Sequence, residues 1–256
     1  MNQHALVIVG RANPETPGRS PFSPVGTGFC VHPDGVVATC WHTVAGLLRR
    51  YSTIDVPRRG GSAVTWHKFE RHEVPAFSFL QGVGQPGEAV VHWMLSGEGN
   101  VDEDISLVEL GGGRKAGPLP AVTTAEEAPR LGEFVHFIGH HQPAGAPVDP
   151  DGQIGGFALT YQGGTVVAAD DSGFCLDYAI PRGMSGAPVF RPEDGRVIGM
   201  IVETWPSELA ASRIGISAEV TRAVAIGRVM SFLPTLREHA NARALRGGRP
   251  WCGLIP

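Results

Sequence analysis

Short strand-like runs, cut apart by turn residues, leave this chain few folds to choose from. They occur at Ala5–Val9, Gly28–Val31, Val36–Thr39, Ala89–Trp93, Ile105–Leu110, Phe134–Ile138, Gly156–Tyr161, Gly164–Ala168, Phe174–Ala179, Ala187–Phe190 and Val197–Glu203. Gly, Pro, Asp and Asn separate them, as in His32-Pro33-Asp34-Gly35 and Pro192-Glu193-Asp194-Gly195. Many short strands at such spacing predict a barrel or a sandwich. The helical pattern comes late: Ser217 can cap a run from Ala218 to Met230, and a second run covers Leu233 to Leu245 with Pro234 at its start. The expectation is an all-β body closed by a C-terminal helix.

A Gly- and Pro-rich stretch, Gly111–Thr124, lies between strong strand signals and divides the strands into two halves. This gives an N-terminal β unit over 1–115, a C-terminal β unit over 116–216, and a helix with a tail over 217–256. Residues 50–88 mix charges, aromatics and Gly without clean periodicity and predict an insertion on the first unit.

Composition narrows the function. The 35 glycines and 21 prolines are high, yet 42% of residues are apolar, so the chain is rich in turns and still able to fold. A net charge of -4 offers no basic footprint for nucleic acid. The chain opens Met1-Asn2-Gln3-His4, with only Ala5 to Val9 apolar before Arg11, which is not a secretory leader. No stretch approaches the roughly 20 apolar residues of a membrane span. A cytoplasmic protein is expected, with no membrane partner. Cys30, Cys40, Cys175 and Cys252 lack C-x-x-C spacing and are expected to be free thiols, mostly in the core. His140 and His141 are adjacent and would point to opposite faces of a strand, so no metal site and no cofactor are expected from them or from His136.

Three segments carry chemistry. Gly26-Thr27-Gly28 leads one strand, and Ala38-Thr39-Cys40-Trp41-His42-Thr43-Val44 ends the next with a histidine at the strand's exit. Asp104 enters the apolar run Ile105–Leu110, where a buried carboxylate needs a partner such as an imidazole N–H. Asp102 and Glu103 are close by, but only Asp104 directly precedes the run. Pro181-Arg182-Gly183-Met184-Ser185-Gly186-Ala187-Pro188 has the form of a tight turn in which the Gly183 and Ser185 amides can share one small space.

Together these segments resemble the trypsin-like serine peptidases, particularly the bacterial branch that includes the HtrA protease domain. The order His, Asp, Ser is that of this superfamily. The resemblance implies two six-stranded antiparallel Greek-key β-barrels with the active site between them. It implies Ser185 as nucleophile, His42 as general base and acid, Asp104 as its orienting carboxylate, and the Gly183 and Ser185 amides as oxyanion hole. A protein substrate is implied, cut through an acyl-enzyme. By the same alignment Ala179, Ile180, Val202, Glu203 and Thr204 form the substrate pocket. Its apolar floor favours a small or medium apolar residue unless Glu203 points inward.

Two departures stand out. Met184 occupies the place where secreted relatives carry an aspartate that pairs with a newly cut N-terminus, and the disulfide bracing the histidine loop is missing. Nothing in the sequence then ties the Arg182-Gly183-Met184 turn to the N-terminal strand, so its order is expected to depend on surrounding loops, the insertion at 50–88 first among them, or on a regulatory protein partner. The competing reading is a catalytically silent barrel that only binds a protein.

Overall fold

The computed structural model describes residues 1–12, 22–48, 74–79, 91–111, 119–141 and 158–245. After a short 3-10 turn, β1 (Leu6–Ala12), β2 (Phe22–His32), β3 (Val36–Cys40), β4 (Val74–Phe79), β5 (Val91–Asn100) and β6 (Ile105–Gly111) form an antiparallel sheet in the order β1-β2-β3-β6-β5-β4. Strand β4 returns to pair with β1, Val9 opposite Phe77, and closes the barrel. The β2–β3 hairpin turns at Gly35, whose φ of 91° is the left-handed conformation that glycine enters without steric cost. Helix α1 (Trp41–Leu48) begins directly at the end of β3.

The second set comprises β7 (Phe134–His141), β8 (Ala158–Ala169), β9 (Gly173–Leu176), β10 (Pro188–Phe190), β11 (Val197–Trp205) and β12 (Val220–Ala225), in the order β10-β11-β12-β9-β8-β7 with β7 returning to β10. Helix α2 (Ser207–Ile214) lies between β11 and β12, and α3 (Ile226–Met230) and α4 (Leu233–Leu245) follow. Among the described residues no helix is long and apolar enough to cross a membrane.

Several expected boundaries move. The run from Ala218, expected as a helix, contains strand β12, so the second β unit extends to Ala225 and not to 216. Its Val220, Thr221 and Val224 are buried by pairing with β9 and β11, and this tertiary pairing overrides the helix-like spacing. Before β12, α2 ends at Ile214, stopped by Gly215 at φ 74°. The expected insertion over 50–88 lies mostly outside the described residues, but its portion at 74–79 is barrel strand β4. The expected strands at 156–161 and 164–168 are, from Ala158 onward, one strand, β8, which stays in register with β7 through Gly163 and Gly164, and a Cβ on Gly163 would meet the Phe134 ring at 2.5 Å.

The cores explain how the halves are held. Inside the second barrel Val135, Phe137, Leu176, Met184, Ile198 and Ile201 pack together. The larger cluster joins Leu6, Phe29 and Leu107 of the first barrel to Met200, Val202 and Val224 of the second and to Val229 and Leu236 of α3 and α4. Each large apolar side chain so buried contributes about 1.5–3 kcal/mol. The connection at 119–125 is bonded to both sides, Val122 N–H to Cys30 O at 2.9 Å and Ala125 N–H to Val197 O at 2.8 Å.

Candidate active site

His42 stands in the first turn of α1, and the turn before β6 comes up against it. The Asp104 carboxylate accepts the His42 backbone amide on Oδ1 at 2.7 Å and faces Nδ1 with Oδ2 at 2.5 Å. Its own carbonyl accepts the Trp41 amide at 3.1 Å. With Nδ1–H donating to Asp104, the lone pair of the neutral ring belongs to Nε2. The histidine side chain is 54% exposed and the aspartate 19%, so the acid is shielded while the base stays accessible.

Asp104 pays a conformational cost for this position: at φ 59° it is the single non-glycine residue with positive φ among those described. The turn is shaped by Asn100, whose Oδ1 accepts the Asp102 and Glu103 amides at 2.9 and 3.1 Å. Neither neighbouring acid competes for His42. Glu103 is bonded to Arg228 of α3, and Asp102 is exposed.

The Ser185 turn sits in the seam between the barrels. Gly183 and Gly186 have φ of 94° and 86°. A Cβ on Gly186 would lie 2.0 Å from Thr27 O, so no other residue fits there. The Ala187 amide closes the turn onto Met184 O at 2.9 Å, and the Gly186 amide bonds Ile201 O at 2.8 Å. Strand β2 grips the turn from the other barrel: the Thr27 amide donates to Ser185 O at 3.0 Å and the Thr27 hydroxyl to Gly183 O at 2.9 Å. Met184 is fully buried, its sulfur close against Gly139. The two Thr27 hydrogen bonds correct the expectation that nothing ties the turn to the N-terminal half, while Met184 plugs the turn into the core of the second barrel. Among the described residues neither the Gly183 nor the Ser185 amide donates to a backbone carbonyl.

Gly26 brings the segment that follows His42 close to the backbone of the Ser185 turn. A Cβ on Gly26 would lie 2.9 Å from Thr43 Cγ2, beside His42, and 3.4 Å from Ser185 O. No hydrogen bond joins the Ser185 hydroxyl to His42 in this structure.

The pocket residues separate by environment. Ala179 is exposed, Ile180 packs at the edge of the second core, and Val202 is buried. Glu203 is engaged by Arg222 on the neighbouring strand at 3.5 Å. Thr204 Oγ1 is buried without a partner among the described residues, opposite the fully buried Thr221 in the strand register. Sequence reasoning missed Thr221, Asn100 and the bracing role of Thr27. Only Thr27 left a trace there, as the middle of Gly-Thr-Gly.

Cys40, His42 and Asp104 bring ligand-type atoms within 4.8 Å of one another. A metal needs a thiolate, whereas burial, helped by the Asp104 charge, holds the Cys40 thiol well above its ordinary range, and its Sγ–H bonds Ile201 O at 3.2 Å. Nδ1 of His42 is already engaged by Asp104. Cys30 and Cys175 are likewise buried free thiols, each pushed up to about 11 by burial. His140 is buried beside Thr27 and held down to about 4, chiefly by burial and secondarily by His141, while His136 bonds the Tyr161 hydroxyl.

A family model described as a trypsin-like peptidase domain matches residues 26–200, from the Gly-Thr-Gly segment through the turn of Ser185 and into β11. Among curated proteins none matches the chain. The match covers more than half of the 256 residues, and the chain belongs to the trypsin-like peptidase domain family.

Proposed function

We propose that the protein is a serine endopeptidase that hydrolyses peptide bonds through an acyl-enzyme, using His42, Asp104 and Ser185. The observation that carries this is the two-point hold of Asp104 on His42, amide and ring together. Such a hold fixes both the tautomer and the orientation of the imidazole, which a surface histidine does not need. Both barrels, in this proposal, follow the Greek-key winding of the family.

Ser185 Oγ attacks the scissile carbonyl carbon while His42 Nε2 takes its proton, and the carbonyl oxygen becomes an oxyanion held by the Gly183 and Ser185 amides. The tetrahedral intermediate collapses by breaking the C–N bond, and His42 returns the proton to the leaving amine. Water then attacks the ester with its proton going to Nε2, and collapse frees Ser185 with that proton and releases the carboxylic product. Each oxyanion donor is worth about 3–4 kcal/mol in such a step. Asp104 stays ionised throughout and supports the imidazolium.

Glu203 is engaged by Arg222, which favours an apolar pocket formed by Ala179, Ile180, Val202 and Thr204 and cleavage after small or medium apolar residues. Three buried free thiols support work in the cytoplasm. Because the turn is anchored, control by a protein partner would act on access to the groove. The partner is then expected to raise cleavage of proteins but not of small esters.

The test is a fluorophosphonate probe with a peptide library. Wild type should label at Ser185 and cut after small apolar residues. Ser185→Ala should keep its circular dichroism and lose both, and His42→Ala should lose a similar factor because the triad acts as a unit. A folded wild type inert to both probe and library is a binding barrel and not an enzyme.

A further inference from the structure

In Gly26-Thr27-Gly28 the glycines have a steric reason: a Cβ would meet Thr43 Cγ2 at 2.9 Å on Gly26 and Ala38 O at 2.9 Å on Gly28. The residue between them presents a hydroxyl that is fully buried in the seam between the barrels. A buried hydroxyl is unfavourable unless it is bonded. This one accepts the His140 amide at 2.9 Å and donates to the Gly183 carbonyl at 2.9 Å, with the His140 carbonyl a poorer acceptor at 3.4 Å. The Thr27 backbone adds an amide bond to Ser185 O at 3.0 Å, and its carbonyl takes the Thr39 hydroxyl at 2.7 Å. One residue of the first barrel thus holds the carbonyls on both sides of Met184.

Gly183 is the residue of the turn most free to rotate, having no Cβ and a φ of 94°. The held carbonyl belongs to the Gly183–Met184 peptide, so a turn that rotates at Gly183 would move its Cα and with it the Arg182–Gly183 peptide whose N–H must face the Ser185 amide. We propose that Thr27 is a positioning residue whose hydroxyl fixes the Gly183 carbonyl and, through the Gly183 Cα, the amide on its other side, so that the Gly183 and Ser185 amides face one oxyanion. This rests on the serine-peptidase reading above. The role uses the oxygen and not the bulk, since valine fills the same shape without it.

The experiment compares wild type, Thr27→Val, Thr27→Ser and Thr27→Ala on a small ester, with kcat and KM separated and thermal unfolding of each protein recorded. Thr27→Val should lower kcat about 10-fold to 100-fold, less than the roughly 100-fold to 1,000-fold for outright loss of an oxyanion donor because the amide is displaced and not removed, with KM within about twofold. Thr27→Ser, which restores the hydroxyl, should return to within about threefold of wild type. Where valine does not fold, Thr27→Ala, which only removes atoms, takes its place with the same expectation. A folded Thr27→Val or Thr27→Ala with wild-type kcat overturns the proposal, as does a Thr27→Ser as slow as valine. If every hydroxyl-free variant unfolds while serine folds, the oxygen holds the fold and not the turn, and the proposal falls. A wild type without ester turnover overturns the peptidase reading itself, and this inference with it.

Discussion

Gly186 shows how little freedom a single position in this site has. Its φ of 86° disfavours any side chain, and the site for a Cβ is already occupied by the Thr27 carbonyl. Gly186→Ala is therefore expected to cost at least about 3 kcal/mol in denaturant unfolding, through backbone strain and displacement of β2 together. His140 makes a different statement, about pH. Buried with no partner for Nε2 among the described residues, it takes a proton only near pH 4 in the folded chain against 6.5 unfolded. Between those values the unfolded chain binds more protons, so stability present above pH 6.5 is lost as pH falls toward 4, by up to about 3 kcal/mol. His140→Leu should remove that component. Unfolding curves of both proteins at pH 7 and pH 4.5 test it, and a stability difference that does not change with pH would refute it.

At the scale of elements, the turn between β5 and β6 uses a costly backbone conformation to set Asp104 against His42. Asn100 gathers two amides and so holds the chain in the path that leaves Asp104 at φ 59°. Asn100→Ala should lower ester kcat about tenfold, because a displaced carboxylate releases the His42 ring, while Asn100→Asp keeps the acceptor and most of the rate. The Arg228–Glu103 pair over the same turn is exposed and contributes less than about 1 kcal/mol. The His, Asp and Ser segments were legible in the sequence because each is local, a strand end or a tight turn with its own composition. Strand β12 was not, since Ala218–Met230 has the spacing of a helix and becomes a strand only by pairing with β9 and β11, which lie far away in sequence. Strand β4 was hidden for a related reason, inside a stretch with no periodicity of its own. The hold of Thr27 on Gly183 spans 156 positions and leaves no local pattern at all.

For the molecule as a whole, the described cysteines are packing groups in the cores. Cys30, Cys40 and Cys175 should react slowly with a thiol reagent in the native protein and rapidly after unfolding in guanidinium, while excess dithiothreitol should leave activity unchanged. A native Cys30 or Cys40 that reacts at the rate of free cysteine would contradict the packing described. The shared core has a further meaning during synthesis. Ser185 leaves the ribosome before β11 and β12, which close its barrel, and before Val229 and Leu236, which complete the cluster joining the barrels. A nascent chain that already holds every reactive group still lacks the Ile201 carbonyl that receives the Gly186 amide and the strands that bury Met184. Translation itself therefore keeps the turn of Ser185, the nucleophile in the proposed reaction, unformed until the last strands and helices are made.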